Sequence, residues 1–158
     1  MDEKAKRRVL GLFSYGLYAI GVRDGERMNA FTANWVTQVA FEPPMIAVSV
    51  ENDGASVAMM RASQVFSVNV CDGSQRREAA RLARPYSGAP EKLDEFEYET
   101  RETGAPLLTD CLGYVECRIV DEIVTGDHTL FVGEVVGADV FREGEPLTMA
   151  SAGFTYAG

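Results

Sequence analysis

Between Asn29 and Gln38 the chain sets Asn29, Thr32, Asn34, Thr37 and Gln38 among Phe31, Trp35 and Val36. No apolar stripe runs at helical spacing, so the stretch reads as a strand that is polar where a buried strand would be apolar. Its donors and acceptors need partners. Either they face water along a sheet edge, which composition alone favours, or they meet a flat heteroaromatic ligand rich in carbonyls and ring nitrogens. Pro43-Pro44 ends the stretch, since neither residue can donate to a ladder, and the apolar, β-branched run Met45 to Val50 follows as a core strand.

Two further groups could meet a charged ligand. Asn52-Asp53-Gly54-Ala55-Ser56 is a turn that opens a helix over Val57 to Ala62. A helix N-terminus offers unpaired N–H groups and partial positive charge, which suits a phosphate, so Asn52 and Ser56 are candidates for a cofactor tail. Capping of that helix by Asn52 or Asp53 is an equally good use of the same residues. Downstream, Asp72 and Gln75 have capping-box spacing, and Arg77, Arg81 and Arg84 follow on one helical face. A solvated face with Glu78 as partner is the common fate of such a run; Arg84 is kept as a phosphate contact.

His128 is the only histidine. A zinc site of several imidazoles is therefore excluded, and no Ser-His-Asp or Cys-His nucleophile can be assembled. A lone histidine at a strand start is usually structural, and Asp127 is expected to face away from it because adjacent strand residues alternate. Cys71, Cys111 and Cys117 are an odd number without a C-x-x-C pair, so buried free thiols are expected rather than disulfides or zinc ligands.

Short strands must position these groups. Lys4 to Val9 reads as a charged helix or arm; Tyr15 to Ile20 alternates as a strand, and Asp24-Gly25 closes a hairpin. Val65 to Cys71 is another strand. Leu112 to Ile123 alternates, with Val115, Cys117 and Ile119 inward and Tyr114, Glu116 and Arg118 outward, before Thr125-Gly126-Asp127 turns it back into His128 to Val136. Pro85 to Pro106 is a long acidic excursion in which Phe96 and Tyr98 could edge a ligand lid or a dimer contact. Pro146 to Tyr156 supplies a last short segment. With small helices and no βαβ repeat, the pattern predicts a mainly β chain, a closed antiparallel six-stranded barrel of Greek-key type, formed by residues 1–158 as one domain.

The 158 residues are 46% hydrophobic and 25% charged, ordinary for a globular chain, and the net charge of −9 argues against nucleic acid. No apolar run approaches a membrane span, and the charged opening Met1 to Arg8 lacks the apolar core of a secretory signal. A cytoplasmic location is expected.

The pattern Asn29-x-x-Thr32-Ala33-Asn34-Trp35-Val36-Thr37-Gln38-x-x-Phe41-x-Pro43-Pro44-x-x-Ala47-Val48-Ser49-Val50 resembles the flavin-binding segment of the flavin-reductase-like split-barrel family. Phe66-Ser67-Val68-Asn69-Val70 is similar to that family's next core strand, and Gly126-Asp127-His128 to its Gly-Asp-His signature. The resemblance runs from about Tyr15 to Tyr156 in the family's order.

The resemblance implies hydride transfer from NADH or NADPH to N5 of FMN, or of FAD. Thr32, Ala33, Asn34 and Trp35 would line the ring and ribityl chain, largely through backbone groups, with Thr37 and Gln38 close by. Ser49, Val50, Glu51, Asn52 and Ser56 would approach the phosphate end. Trp35 is large for a site wall, and a core position is favoured for it. His128 would lie on the nicotinamide side. Val39-Ala40 stands where many relatives carry a hydroxyl, so one contact is missing. A homodimer is implied, with a flavin site that borrows residues from the second subunit. Three activities fit: a flavin reductase that releases reduced flavin, for instance to a monooxygenase; a flavoredoxin-like carrier that keeps its FMN and passes electrons to a rubredoxin-like acceptor; and a flavin- or tetrapyrrole-binding module without turnover.

Overall fold

In this computed structural model residues 1–52 and 54–156 are described. Asp53, one of the two capping candidates, lies outside them. Helix α1 (Glu3–Leu10) precedes strands β1 (Tyr18–Asp24), β2 (Arg27–Ala33), β3 (Val36–Phe41) and β4 (Pro44–Glu51). Helix α2 (Ala55–Ser63), strand β5 (Val65–Val70) and helix α3 (Arg76–Leu82) follow. Two 3-10 turns lead to the short strands β6 (Tyr98–Glu99) and β7 (Leu107–Leu108), then to β8 (Gly113–Thr125), β9 (His128–Val140) and helix α4 (Met149–Ala152).

One antiparallel sheet carries the order β2-β1-β5-β8-β9-β4-β3, and β6 pairs with β7 apart from it. The main sheet has seven strands, one more than the alternation predicts. The polar stretch is not one strand: it bends at Asn34-Trp35, leaving β2 at one edge and β3 at the other. Among the described residues no strand pairing joins those two edges. The sheet nevertheless curls, because one apolar cluster draws Ile20 and Val22 from β1, Ala33 from β2, Val48 and Val50 from β4, Phe66 and Val68 from β5, Cys117 from β8 and Phe131 from β9. Val57, Met59 and Met60 of α2 plug it.

A second cluster lies on the other side of β1. Leu17 and Ala19 pack there with Ala30, Cys71, Ala79, Leu82, Leu93 and Leu108. Strand β1 is thus buried on both faces. At Gly21 a Cβ would collide with the Ser67 hydroxyl and the Pro106 carbonyl, so only glycine lets the start of β7 close over the sheet.

The hairpin expected at Asp24-Gly25 pairs Asp24 with Arg27, and Gly126 turns β8 into β9 at φ +65°. Inward positions Val115, Cys117 and Ile119 pack as alternation predicts. Of the outward Tyr114, Glu116 and Arg118 only Arg118 is exposed: Tyr114 is buried and Glu116 is fully so, because the Pro85–Pro106 excursion folds over them. Glu116 accepts hydrogen bonds from the Thr103 amide and hydroxyl, both at 2.8 Å, and from the Glu102 amide at 3.2 Å. All three cysteines are buried and free. No helix among the described residues is long and apolar enough to cross a membrane.

Candidate functional site

A cleft of about 860 Å³ opens where the bend between β2 and β3, the end of β4, the start of α2 and the α3 C-terminus converge. Thr32, Ala33, Asn34, Trp35, Ser49, Val50, Glu51, Ser56, Arg84 and His128 all line it. Residues from four separate stretches of sequence thus meet at one place. Thr37, Gln38 and Asn52 do not line it. Thr37 and Gln38 lie on the exposed edge strand β3, their side chains bonded to the Gln38 and Ala40 carbonyls. Asn52 clasps the β8–β9 turn, donating to the Gly126 carbonyl at 3.2 Å and accepting from the Thr129 hydroxyl at 2.6 Å.

The bend at Asn34-Trp35 makes the cleft floor. The Trp35 carbonyl accepts from the Ser49 amide at 3.0 Å, which fastens the bend to β4. Trp35 is not a core residue, contrary to the expectation: the chain turns between strands there, so its ring leaves both apolar clusters and packs on His128 at 4.8 Å and on Tyr156 at 5.3 Å between centroids. Thr32 spends its hydroxyl on the Ala79 carbonyl at 2.6 Å, tying β2 to α3 and leaving its backbone to the cleft. Ser56 accepts a long 3.4 Å bond from Asn29. Three buried polar atoms beside this floor, Asn29 Oδ1, Asn34 Nδ2 and Trp35 Nε1, have no hydrogen-bond partner among the described residues. Two donors and an acceptor left bare in one cleft fit a polar ring system, since burying them unpaired costs about 1–3 kcal/mol each.

His128 pairs with Glu51 across β4 and β9. Its Nδ1 lies 2.6 Å from Asp127 Oδ1. Asp127 is therefore an orienting partner, which corrects the alternation argument: it sits in the Gly126 turn, and strand periodicity begins only at His128. The imidazole holds the Asp127 carboxyl below the usual carboxylate range. His128 Nε2 meets the Tyr156 hydroxyl at 3.1 Å, and that hydroxyl donates to the Glu51 carboxylate.

The opposite wall is basic. Lys92, 1% exposed, donates from Nζ to the Leu82 and Arg84 carbonyls, each at 2.7 Å, and so closes the C-terminus of α3. Burial first, and the Arg84 charge second, push its amine down to about 8. Arg84 and Arg81 both bind Glu95, at 2.8 and 3.2 Å, so the partner of this arginine stripe is Glu95 rather than Glu78. The excursion reaches the cleft through Pro85, Tyr86, Ser87 and Lys92. Phe96 instead packs on the second cluster and Tyr98 pairs with Leu108.

Sequence reasoning missed Lys92, Tyr86, Phe154 and Tyr156 as wall residues. Lys92 lies in an aperiodic acidic run, and nothing local marks it as buried. Asn29 stood in the polar pattern, but its burial to 1% exposure, with a side-chain bond to Ser56 of α2, is a tertiary property that no local pattern reports.

The model of the flavin reductase like domain matches residues 10–158. The chain belongs to the flavin-reductase-like family. Among its relatives, a ferric-chelate reductase (NAD(P)H) of Archaeoglobus fulgidus is 36% identical over 139 residues, 87% of this chain and 82% of that one. A high molecular weight rubredoxin of Moorella thermoacetica is 32% identical over 95% of this chain. The chain spans 65% of that longer rubredoxin, just under two thirds. Among solved members of the family, the NADH:FAD oxidoreductase of Streptomyces globisporus superposes with a TM-score of 0.84 at 30% identity, covering 93% of this chain and 87% of that one.

Proposed function

We propose that this chain binds a flavin, FMN or FAD, in the cleft and reduces it with NADH or NADPH, acting as a flavin reductase. The bare Asn29, Asn34 and Trp35 atoms on the cleft floor carry this reading, because the edge of an isoalloxazine offers the carbonyls and nitrogens they lack. When bound, the flavin supplies an N5 that accepts a hydride from the nicotinamide. Asn34 and Trp35 would then donate to the ring and Asn29 would accept from it. Among the described residues no side chain caps α2, so its first amides, beside Ser56, are open to a phosphate. His128, steadied by Asp127, would meet the nicotinamide and hold a proton at Nδ1. A ferric-chelate reductase and an NADH:FAD oxidoreductase among the relatives agree with this chemistry.

A second reading, a carrier that retains FMN and passes electrons to a rubredoxin-like protein, draws support from the likeness to the high molecular weight rubredoxin. An anaerobic visible spectrum before and after NADH and NADPH, with and without added FMN, separates the readings. A colourless protein that reduces added FMN is the reductase; a bound flavin that bleaches is the carrier; bound pigment that stays oxidised is a binding module. A protein that neither binds nor reduces flavin sinks all of them.

The assembly belongs to the same proposal. Residues 1–158 act as one flavin-binding unit, its curled sheet closing as a split barrel, and two copies associate. Leu12 and Phe13 beyond α1 and Phe41 on β3 are exposed apolar groups that a second copy would cover. Association would also bring the outward-facing Thr37 and Gln38 to a flavin. Three free buried cysteines fit the cytoplasm.

A further inference from the structure

We infer that Tyr156 is a positioning residue for His128, its hydroxyl linking the imidazole Nε2 to the Glu51 carboxylate at the cleft wall. The inference deepens the reading of His128 given above and rests on it.

Hydrogen counting makes the link specific. A carboxylate only accepts, so Nδ1, 2.6 Å from Asp127, carries a hydrogen. A phenol has one hydrogen to give. Directed at Glu51, it leaves an oxygen lone pair toward Nε2, and the 3.1 Å contact is a bond when Nε2 also carries a hydrogen. When Nε2 is bare, the phenol can donate to it in place of Glu51. Tyr156 therefore joins the His128 imidazole to the Glu51 carboxylate. Asp127 and Glu51 are carboxylates in this chain of contacts, and the Trp35 ring packs against it.

The geometry around Tyr156 is built rather than incidental. Thr148 caps α4 with a full capping box, and Gly153 at φ +67° turns the chain back after it. Arg76 then holds the segment, donating to the Ala152 carbonyl at 2.5 Å and lying 5.4 Å over the Phe154 ring. The Tyr156 ring rests edge-on against Trp35 at 65°. These contacts place a hydroxyl from the far end of the sequence on the open nitrogen of the single histidine.

A lone imidazole makes the test direct. In a long-range proton–nitrogen NMR spectrum of the flavin-free, nitrogen-15-labelled protein at fixed pH, both ring nitrogens of His128 are read without assignment ambiguity. Tyr156→Phe keeps the ring against Trp35 and removes the hydroxyl; the Nε2 resonance is expected to move more than the Nδ1 resonance. Glu51→Gln, which alters the other side of the phenol, is expected to move Nε2 as well. In the flavin-loaded protein, Tyr156→Phe is expected to bind flavin within about twofold of wild type while single-turnover reduction by NADH slows roughly 10-fold. Identical imidazole resonances in wild type and Tyr156→Phe overturn the link, and an unchanged reduction rate overturns the positioning role. His128→Ala reducing flavin at the wild-type rate overturns instead the underlying reading of His128.

Discussion

In the proposed function Asn34 and His128 divide the work of the cleft, and single substitutions separate them. Asn34 has a buried amide nitrogen with nothing to bond among the described residues, so Asn34→Ala should weaken flavin binding roughly 10-fold, about 1.4 kcal/mol, in a fluorescence-quenching titration. His128→Ala should leave that titration unchanged and slow anaerobic stopped-flow reduction by NADH. Equal loss of flavin in both variants would mean that His128 belongs to the flavin side.

Lys92 gives a prediction of a different sort. Its amine is pushed down to about 8 in the fold against an ordinary value of 10.5, so between those values the unfolded chain binds more protons than the native one. Stability from this group therefore rises with pH across that window, and below pH 8 the buried charge is a full penalty. Urea unfolding of wild type and Lys92→Met at pH 7.5 and pH 10 should shift in favour of wild type at the higher pH. A constant difference would show that the amine titrates normally.

Legibility at this scale followed local pattern. Asn34 and His128 stand in motifs that can be read by eye; Lys92 and Tyr156 become wall residues only because the excursion after α3 and the segment after α4 deliver them. No spacing rule reports that.

Among the elements, β8 shows where alternation works and where it stops. The period of two assigned Val115, Cys117 and Ile119 to the core correctly, since it depends only on the pleat. It could not tell whether the other face meets water or a loop. Glu116 is the hinge of that difference, a buried carboxylate whose partners are Thr103 and the Glu102 amide. Glu116→Ala should cost about 1–2 kcal/mol, because it removes the acceptor of three part-buried hydrogen bonds, and urea unfolding should register the loss. Limited proteolysis should also cut faster between Pro85 and Pro106. A variant as resistant as wild type would mean that the excursion is held by Arg101, which grips Asp139 at 2.9 Å and Tyr114 at 2.6 Å. The bend at Asn34-Trp35 was illegible for a related reason: a break in strand pairing is decided by which neighbour each half finds, and β2 finds β1 while β3 finds β4.

For the whole molecule, the class of fold was legible because short alternating strands without βαβ repeats leave few other arrangements. Strand order was not, since it is fixed by contacts between distant segments. The proposed pairing of two copies predicts a light-scattering mass near twice 17.3 kDa. Phe41→Glu, which charges an 87% exposed ring on the outer edge, should lower that mass if this edge is the contact. A wild-type mass of 17.3 kDa with flavin still bound would refute the pairing.

Strand order also dictates when the cleft comes into being during synthesis. β4 pairs with β9, and Glu51 waits for His128 about 80 residues later; at roughly 5–20 residues per second that is on the order of 4–15 s on the ribosome. Through that interval Trp35 and the β3–β4 hairpin stand without their neighbour strand, and the nascent chain has half a pocket. Tyr156 emerges later still. In the proposed reading, the affinity for flavin is thus acquired only once β9 and the Tyr156 segment have been made, so free flavin would act on this protein's yield by trapping the assembled fold rather than by guiding its early steps.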